Sequence, residues 1–172
     1  QTVISQSVDP VSVTEGGAAC WSSPSNNGTG DYRQNTFYRR YDLANDFGIT
    51  GSFEVGAVQF GQASAVEGTS VTVTIYIADS FPGGTLIPLA SEDYTLSSGE
   101  NILVEVPFNV TIPANSLVVF ELLVPESANG EDSFRFFPGF NSAGQNDPSY
   151  LQAVDCNIST PTNTDSVVPG DH

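Results

Sequence analysis

Lysine and methionine are absent from this chain of 172 residues, histidine occurs once, and four arginines face 20 acidic side chains. A formal charge of −16 repels phosphate backbones and anionic headgroups, so neither nucleic acid nor a membrane surface is expected as a partner. No apolar run approaches the ~18 residues that a spanning helix needs, so no membrane insertion is expected. The lone histidine is the last residue, His172, a poor place to hold a base within about 3 Å of a nucleophile. One terminal His and two distant Cys do not supply the three or four ligands of a zinc site. Phosphate-cradling glycine loops are missing too. Charged residues make up 14% of the chain, against about 25% in an ordinary soluble protein, so Ser, Thr, Asn, Gln and Gly must solvate the surface.

The length fits one domain with one core, spanning residues 1–172. A basic run followed by an apolar stretch is not found at the amino end, and Gln1 reads as a mature terminus left by signal cleavage. The expected location is therefore outside the cell, at its surface or beyond. Cys20 and Cys156 lie near opposite ends, as expected if one bridge closes almost the whole domain. Such a loop adds about 4–5 kcal/mol by the chain-entropy argument, whereas the alternative is two separate buried thiols. Asn27, Asn109 and Asn157 open glycosylation-type triplets, a pattern that chance also produces in a chain this rich in Asn, Ser and Thr.

Alternating β-branched and aromatic residues recur along the chain, and no stretch sustains the spacing of an amphipathic helix. The clearest strand is 70–77, with Val71, Val73, Ile75 and Ile77 on one face and Thr72, Thr74 and Tyr76 on the other. Further strands are predicted at 36–43, 52–62, 85–89, 101–108, 116–124, 133–137 and 150–154, with a weaker one at 3–8. Gly- and Pro-bearing turns separate them, at 82–84, 97–99, 112–115, 129–130 and 143–146. The predicted fold is all-β: an antiparallel two-sheet β-sandwich, jelly-roll-like, of about eight to nine strands. Residues 16–35 read as a long ordered loop held by Cys20, residues 1–15 as an edge or donor strand, and residues 159–172 as a tail.

Several groups are candidates for chemistry or binding. Asp42, Asn45 and Asp46 form the leading oxygen-rich turn for structural Ca2+, which takes 6–8 oxygen ligands; solvated turns have the same composition. Similar clusters stand at Glu92 and Asp93, at Asn129, Glu131 and Asp132, and at Asn146 and Asp147. Three of the four arginines fall at Arg33, Arg39 and Arg40. Period two puts Arg39 with Phe37 and Tyr41, and Arg40 with Tyr38 and Asp42, so one arginine turns inward. Arg39 is the candidate for a structural ion pair with a carboxylate. Trp21, Tyr32, Tyr38 and Tyr150, with Arg40, are the candidates for a sugar- or carboxylate-binding platform; core packing is the competing role for each ring. Phe134, Phe136, Phe137 and Phe140 crowd around Arg135 and read as core.

The order Arg39-Arg40-Tyr41-Asp42-Leu43, Gly48-Ile49-Thr50, Phe53-Glu54-Val55 and Val58-Gln59-Phe60-Gly61, closing with Pro148-Ser149-Tyr150-Leu151, Ala153 and Asp155-Cys156, resembles a β-sandwich module that recurs in large secreted bacterial surface proteins. The resemblance covers roughly residues 20–172. It implies secretion and a non-catalytic accessory or adhesive role, and it implies a last alternating strand beyond Asp171 and His172. An unfilled strand position is a template for strand addition, and the amino-terminal segment with Val3, Ile4, Val8, Val11 and Val13 is a donor to a neighbouring copy or to its own domain.

The expected function is a non-catalytic extracellular binding or adhesion module whose partner is a glycan or a cell-surface protein. The alternative is a subunit of an extracellular filament or sheath, joined through edge strands to copies of itself. A carbohydrate-active enzyme, with two of the 20 acids as its carboxylate pair, is the third reading.

Overall fold

The computed structural model describes residues 2–22, 31–127 and 134–167. The sequon at Asn27, the cluster of Asn129, Glu131 and Asp132, and His172 lie outside the described residues. The chain folds as the predicted two-sheet antiparallel sandwich. In order, the strands are β1 (Trp21–Ser22), β2 (Asp31–Tyr32), β3 (Asn35–Asp42), β4 (Phe53–Ala65), β5 (Ser70–Ala78) and β6 (Leu86–Thr95). They continue with β7 (Gly99–Ile112), β8 (Leu117–Val124), β9 (Phe136–Pro138), β10 (Ser149–Ala153) and β11 (Ile158–Asn163), before a single helical turn, α1 (Thr164–Val167). No helix among the described residues is long and apolar enough to cross a membrane.

One layer has six strands in the order β11-β10-β3-β8-β5-β6, the other three in the order β7-β4-β9, and β1 pairs with β2 in a small separate ladder. The chain changes layer at nearly every step between β3 and β10, the jelly-roll-like feature of the path. β5 shows why these residues make strands. Val71, Val73 and Ile75 are buried between the layers, while the opposite face carries a polar ladder. On that face Thr72 Oγ1 donates to Asp93 at 2.7 Å, Thr74 and Ser91 hydroxyls pair at 3.0 Å, and Tyr76 Oη donates to Glu121 at 3.1 Å. Period-two alternation thus supplies an apolar and a hydrogen-bonded face at once.

The core continues through Val104, Val106 and Phe108 of β7 and Val118, Leu122 and Val124 of β8. Tyr32, Leu43, Leu96 and Phe136 are among the largest fully buried side chains and belong to the same core. A second apolar cluster of Tyr38, Phe81, Val119 and Tyr150 covers the outer face of the large sheet.

Three stretches differ from their sequence reading, the first being the loop expected at 16–35, which carries the paired short strands β1 and β2. Residues 159–163 are expected in the tail but belong to β11, in register Tyr150↔Asn163 and Leu151↔Thr162. A tight 3-10 turn at Val154–Cys156 and the left-handed Asn157 (φ 62°) reverse the chain there. Ile158, Thr160 and Thr162 then provide enough β-branched character for an edge strand, the position where a proline such as Pro161 is tolerated. The segment 3–8, expected as a weak strand, makes only an isolated bridge at Ser7↔Gln145, followed by one at Thr14↔Phe140. Pro10 and the Asp9 turn, whose carboxylate accepts the N–H groups of Val11 and Ser12, break the repeat between them.

The disulfide joins Cys20 to Cys156, with Cα atoms 5.9 Å apart and a sequence separation of 136. It fastens the loop before β1 to the turn between β10 and β11. Asn35 braces the same loop from inside: its Oδ1 accepts the Cys20 N–H at 2.6 Å and its Nδ2 donates to the carbonyls of Arg33 and Cys20. Replacing both cysteines by serine is expected to lower unfolding stability by about 3–5 kcal/mol, because the unfolded chain regains the entropy of an open loop. Urea titration checks this: the midpoint should come earlier, with an m-value that rises as the unfolded chain expands.

Candidate functional site

The small layer does not cover the large one evenly. β4 runs for 13 residues and pairs along its whole length with β7 on one side. On the other side β9 pairs only with Gln62, Ser64 and Ala65, and the Gly139 N–H adds one bond to the Gly61 carbonyl at 2.8 Å. Among the described residues, no main-chain partner reaches that side of β4 from 53 to 60. At about 3.3 Å per residue this is a bare edge of roughly 25 Å. A groove of about 900 Å3 lies along it.

The groove floor is the inner face of the large sheet, where period two brings Phe37, Arg39 and Tyr41 of β3 together beside Phe120 and Leu122 of β8. Its far wall is the amino-terminal arm, residues 2–13, with the segment that follows β9. The two walls converge where chains touch backbone to backbone: a Cβ on Gly139 would lie 2.3 Å from Val13 and 3.1 Å from Gly61. Glycine is required there because any side chain would push the arm from β9 and β4. Beyond this crossing the arm and β4 diverge, and the groove opens.

Arg39 is the charged group of the floor. Half-buried, it donates from Nη1 to the Asp147 carbonyl oxygen at 3.0 Å. Burial lowers its pKa, against the opposing pull of Tyr41, Asp147 and Asp165. The inward turn expected for Arg39 is therefore observed, but its hydrogen bond goes to a carbonyl. The carboxylate goes instead to Arg40, whose Nε donates to Asp147 Oδ2 at 2.7 Å, with Asp46 at 4.0 Å from Nη2. That hydrogen bond is the main cause holding the Arg40 pKa above its usual value. Adjacent arginines on opposite faces of β3 thus grip one aspartate, one by its main chain and the other by its side chain.

The expected aromatic platform is not assembled. Tyr32 is fully buried and donates to the Phe136 carbonyl at 2.6 Å. Tyr38 and Tyr150 are buried under Phe81, and the Tyr38 hydroxyl donates to Gln152 Oε1 at 2.9 Å. Desolvation drives the pKa of Tyr32 and Tyr38 upward, as expected for phenols serving as packed donors. Trp21 stays exposed, on the small β1–β2 ladder. The physical reason is that a ring with one satisfied hydroxyl is excellent core material, as at Tyr32 and Tyr38, while Tyr150 sets its ring edge-on against Phe81.

The turn proposed for calcium closes on its own amides. Asp42 accepts the Asn45 N–H on Oδ1 at 3.0 Å and Asn45 Nδ2 on Oδ2 at 2.7 Å, and the Asp42 N–H reaches Asp46 Oδ2 at 3.3 Å. Among the described residues, no group of three or more His, Cys, Asp or Glu stands close enough to hold a metal. The Asn45 bonds are the main cause of a lowered Asp42 pKa.

Reasoning from sequence missed the groove residues Gly56, Ala57 and Phe60, whose significance depends on where β9 stops. Comparison with family models, characterised proteins and solved structures finds no match for this chain.

Two outcomes follow from the site's electrostatics. A double-mutant cycle on Arg40→Ala and Asp147→Asn should return a coupling of about 1–3 kcal/mol, measured by denaturant unfolding. Asp42 has a folded pKa below its ordinary 3.8, so its contribution to stability is present above that value and is lost as pH falls through the folded pKa. Acid unfolding of Asp42→Asn should be less steep than that of the parent chain below pH 3.8, with the rest of the charge held constant.

Proposed function

We propose that this chain is a secreted, non-catalytic contact module that binds by accepting an extended polypeptide segment along the open edge of β4. The observation that carries this reading is the stretch 53–60, bare of main-chain partners on one side and set above an apolar groove. Glu54, Gly56 and Gln59 on this stretch are exposed, so its free N–H and C=O groups are met by water until an occupant displaces it, and then they need partners. A lipid or sugar could fill the volume but would leave a row of peptide groups unsatisfied. A strand satisfies both the groove and the edge.

Contrast with the other edges supports the same reading. Edge strand β6 carries Pro88, Glu92 and Asp93, β7 carries Glu100, Glu105 and Pro107, and β11 carries Pro161, all residues that discourage further pairing. From 53 to 61 β4 contains no proline and a single charge, Glu54. The disulfide, the scarcity of charged side chains and the near-absence of His support an extracellular, non-catalytic role.

Amide hydrogen exchange tests the reading. In the monomer, amides along 53–60 that are not bonded to β7 should exchange rapidly while those of β5 stay protected, and an occupant should slow them. Uniform protection of that stretch in a demonstrably monomeric sample would mean that the edge is already filled.

A further inference from the structure

The open edge has a candidate occupant in the chain itself, and we infer that it is the amino-terminal arm of a second copy. This rests on the strand-accepting role proposed for β4. Four observations carry the step. First, the arm bears large apolar side chains with nothing over them: Val3, Val8 and Val11 are 62%, 57% and 71% exposed, and Val3 lines the groove. Second, the arm is weakly tied to its own domain. Among the described residues it joins no strand ladder, and its main-chain anchors are the isolated bridges at Ser7 and Thr14; side-chain ties are Gln6 Nε2 to the Arg40 carbonyl at 3.2 Å, Asn141 Nδ2 to the Asp9 carbonyl, and Ile4 against the core.

Third, the charge pattern selects this segment. In a molecule of formal charge −16, bodies repel, yet residues 2–13 carry Asp9 as their one charge. The arm is the part that can enter a neighbour's groove without bringing a row of carboxylates against Glu54 and Glu105. Fourth, the arm already forms one wall of that groove in its own copy, so it lies beside the open edge, and pairing with β4 of a neighbour adds main-chain bonds that the single copy lacks. As an extended strand, 2–8 places Thr2, Ile4, Gln6 and Val8 on one face and Val3, Ser5 and Ser7 on the other, before Pro10 stops the pairing. A copy that donates its arm and receives another at β4 has two distinct contact surfaces, which generates rings or filaments.

Charge also separates this occupant from its main rival, a basic peptide from another protein. Screening the repulsion between bodies should strengthen self-association as salt rises, whereas a basic peptide bound to an acidic groove should weaken. The test uses three forms of the protein: the full chain, a form lacking residues 2–13, and Gly56→Trp. A Cβ at Gly56 meets nothing within 4 Å, so the indole should be tolerated while obstructing the groove.

Light scattering over a dilution series should show oligomers of the full chain that grow with concentration and salt. The Gly56→Trp protein should be monomeric at the same concentrations with an unshifted melting midpoint. The arm-deleted protein should also be monomeric and should bind a synthetic peptide of residues 2–14 saturably, slowing exchange along 53–60. Should the arm-deleted form not fold, Gly56→Trp and peptide competition against full-chain oligomers carry the test. A full chain that is monomeric throughout, or oligomers indifferent to both Gly56→Trp and the peptide, overturns the inference. Fast exchange along 53–60 in that monomer leaves the strand-accepting role standing; slow exchange removes both.

Discussion

A peptide group withdrawn from water must find a hydrogen-bond partner, and in this sandwich that requirement is met on one side of β4 and left open on the other. Most of the architecture can be seen as the setting for that inequality. Six strands in one layer and three in the other leave part of the large sheet's inner face without a strand above it. β9 stops after three residues, and the glycine crossing at Gly61 and Gly139 deflects the chain outward. The amino-terminal arm then bounds the space without filling it.

The two arginines of β3 show how a single strand can serve two surfaces. Arg40 works at the outer side, where a partly solvated carboxylate offsets its charge cheaply. Arg39 sits in the apolar floor, where full burial would cost several kcal/mol without a partner, about the order expected for an isolated ion. Its position beside the groove keeps it in contact with solvent on one side and with a carbonyl on the other.

Sequence periodicity was sufficient for β5, because four branched aliphatics at alternate positions leave one consistent face, and for the inward turn of Arg39. It was insufficient where the outcome depends on distant chain. Ile158 to Asn163 is too polar to announce a strand, and pairs because Cys156 and the turn at Asn157 deliver it beside β10. Tyr38 and Tyr150 have the composition of a binding platform, but Phe81, more than forty residues from one and more than sixty from the other, lies over both. The groove is the extreme case. None of its residues is unusual alone, and it exists because a neighbouring strand ends early.

The bridge between Cys20 and Cys156 has a mechanical consequence. Tension applied between the amino-terminal arm and the carboxyl-terminal strand would pass from residue 20 to residue 156 through two sulfur atoms. The 135 residues enclosed between those cysteines would carry none of the load directly, and the chain could not be drawn out beyond its short flanks while the bond lasts. A domain wired in this way is an inextensible link: pulling on it strains the contact it makes before it unravels the body that makes it.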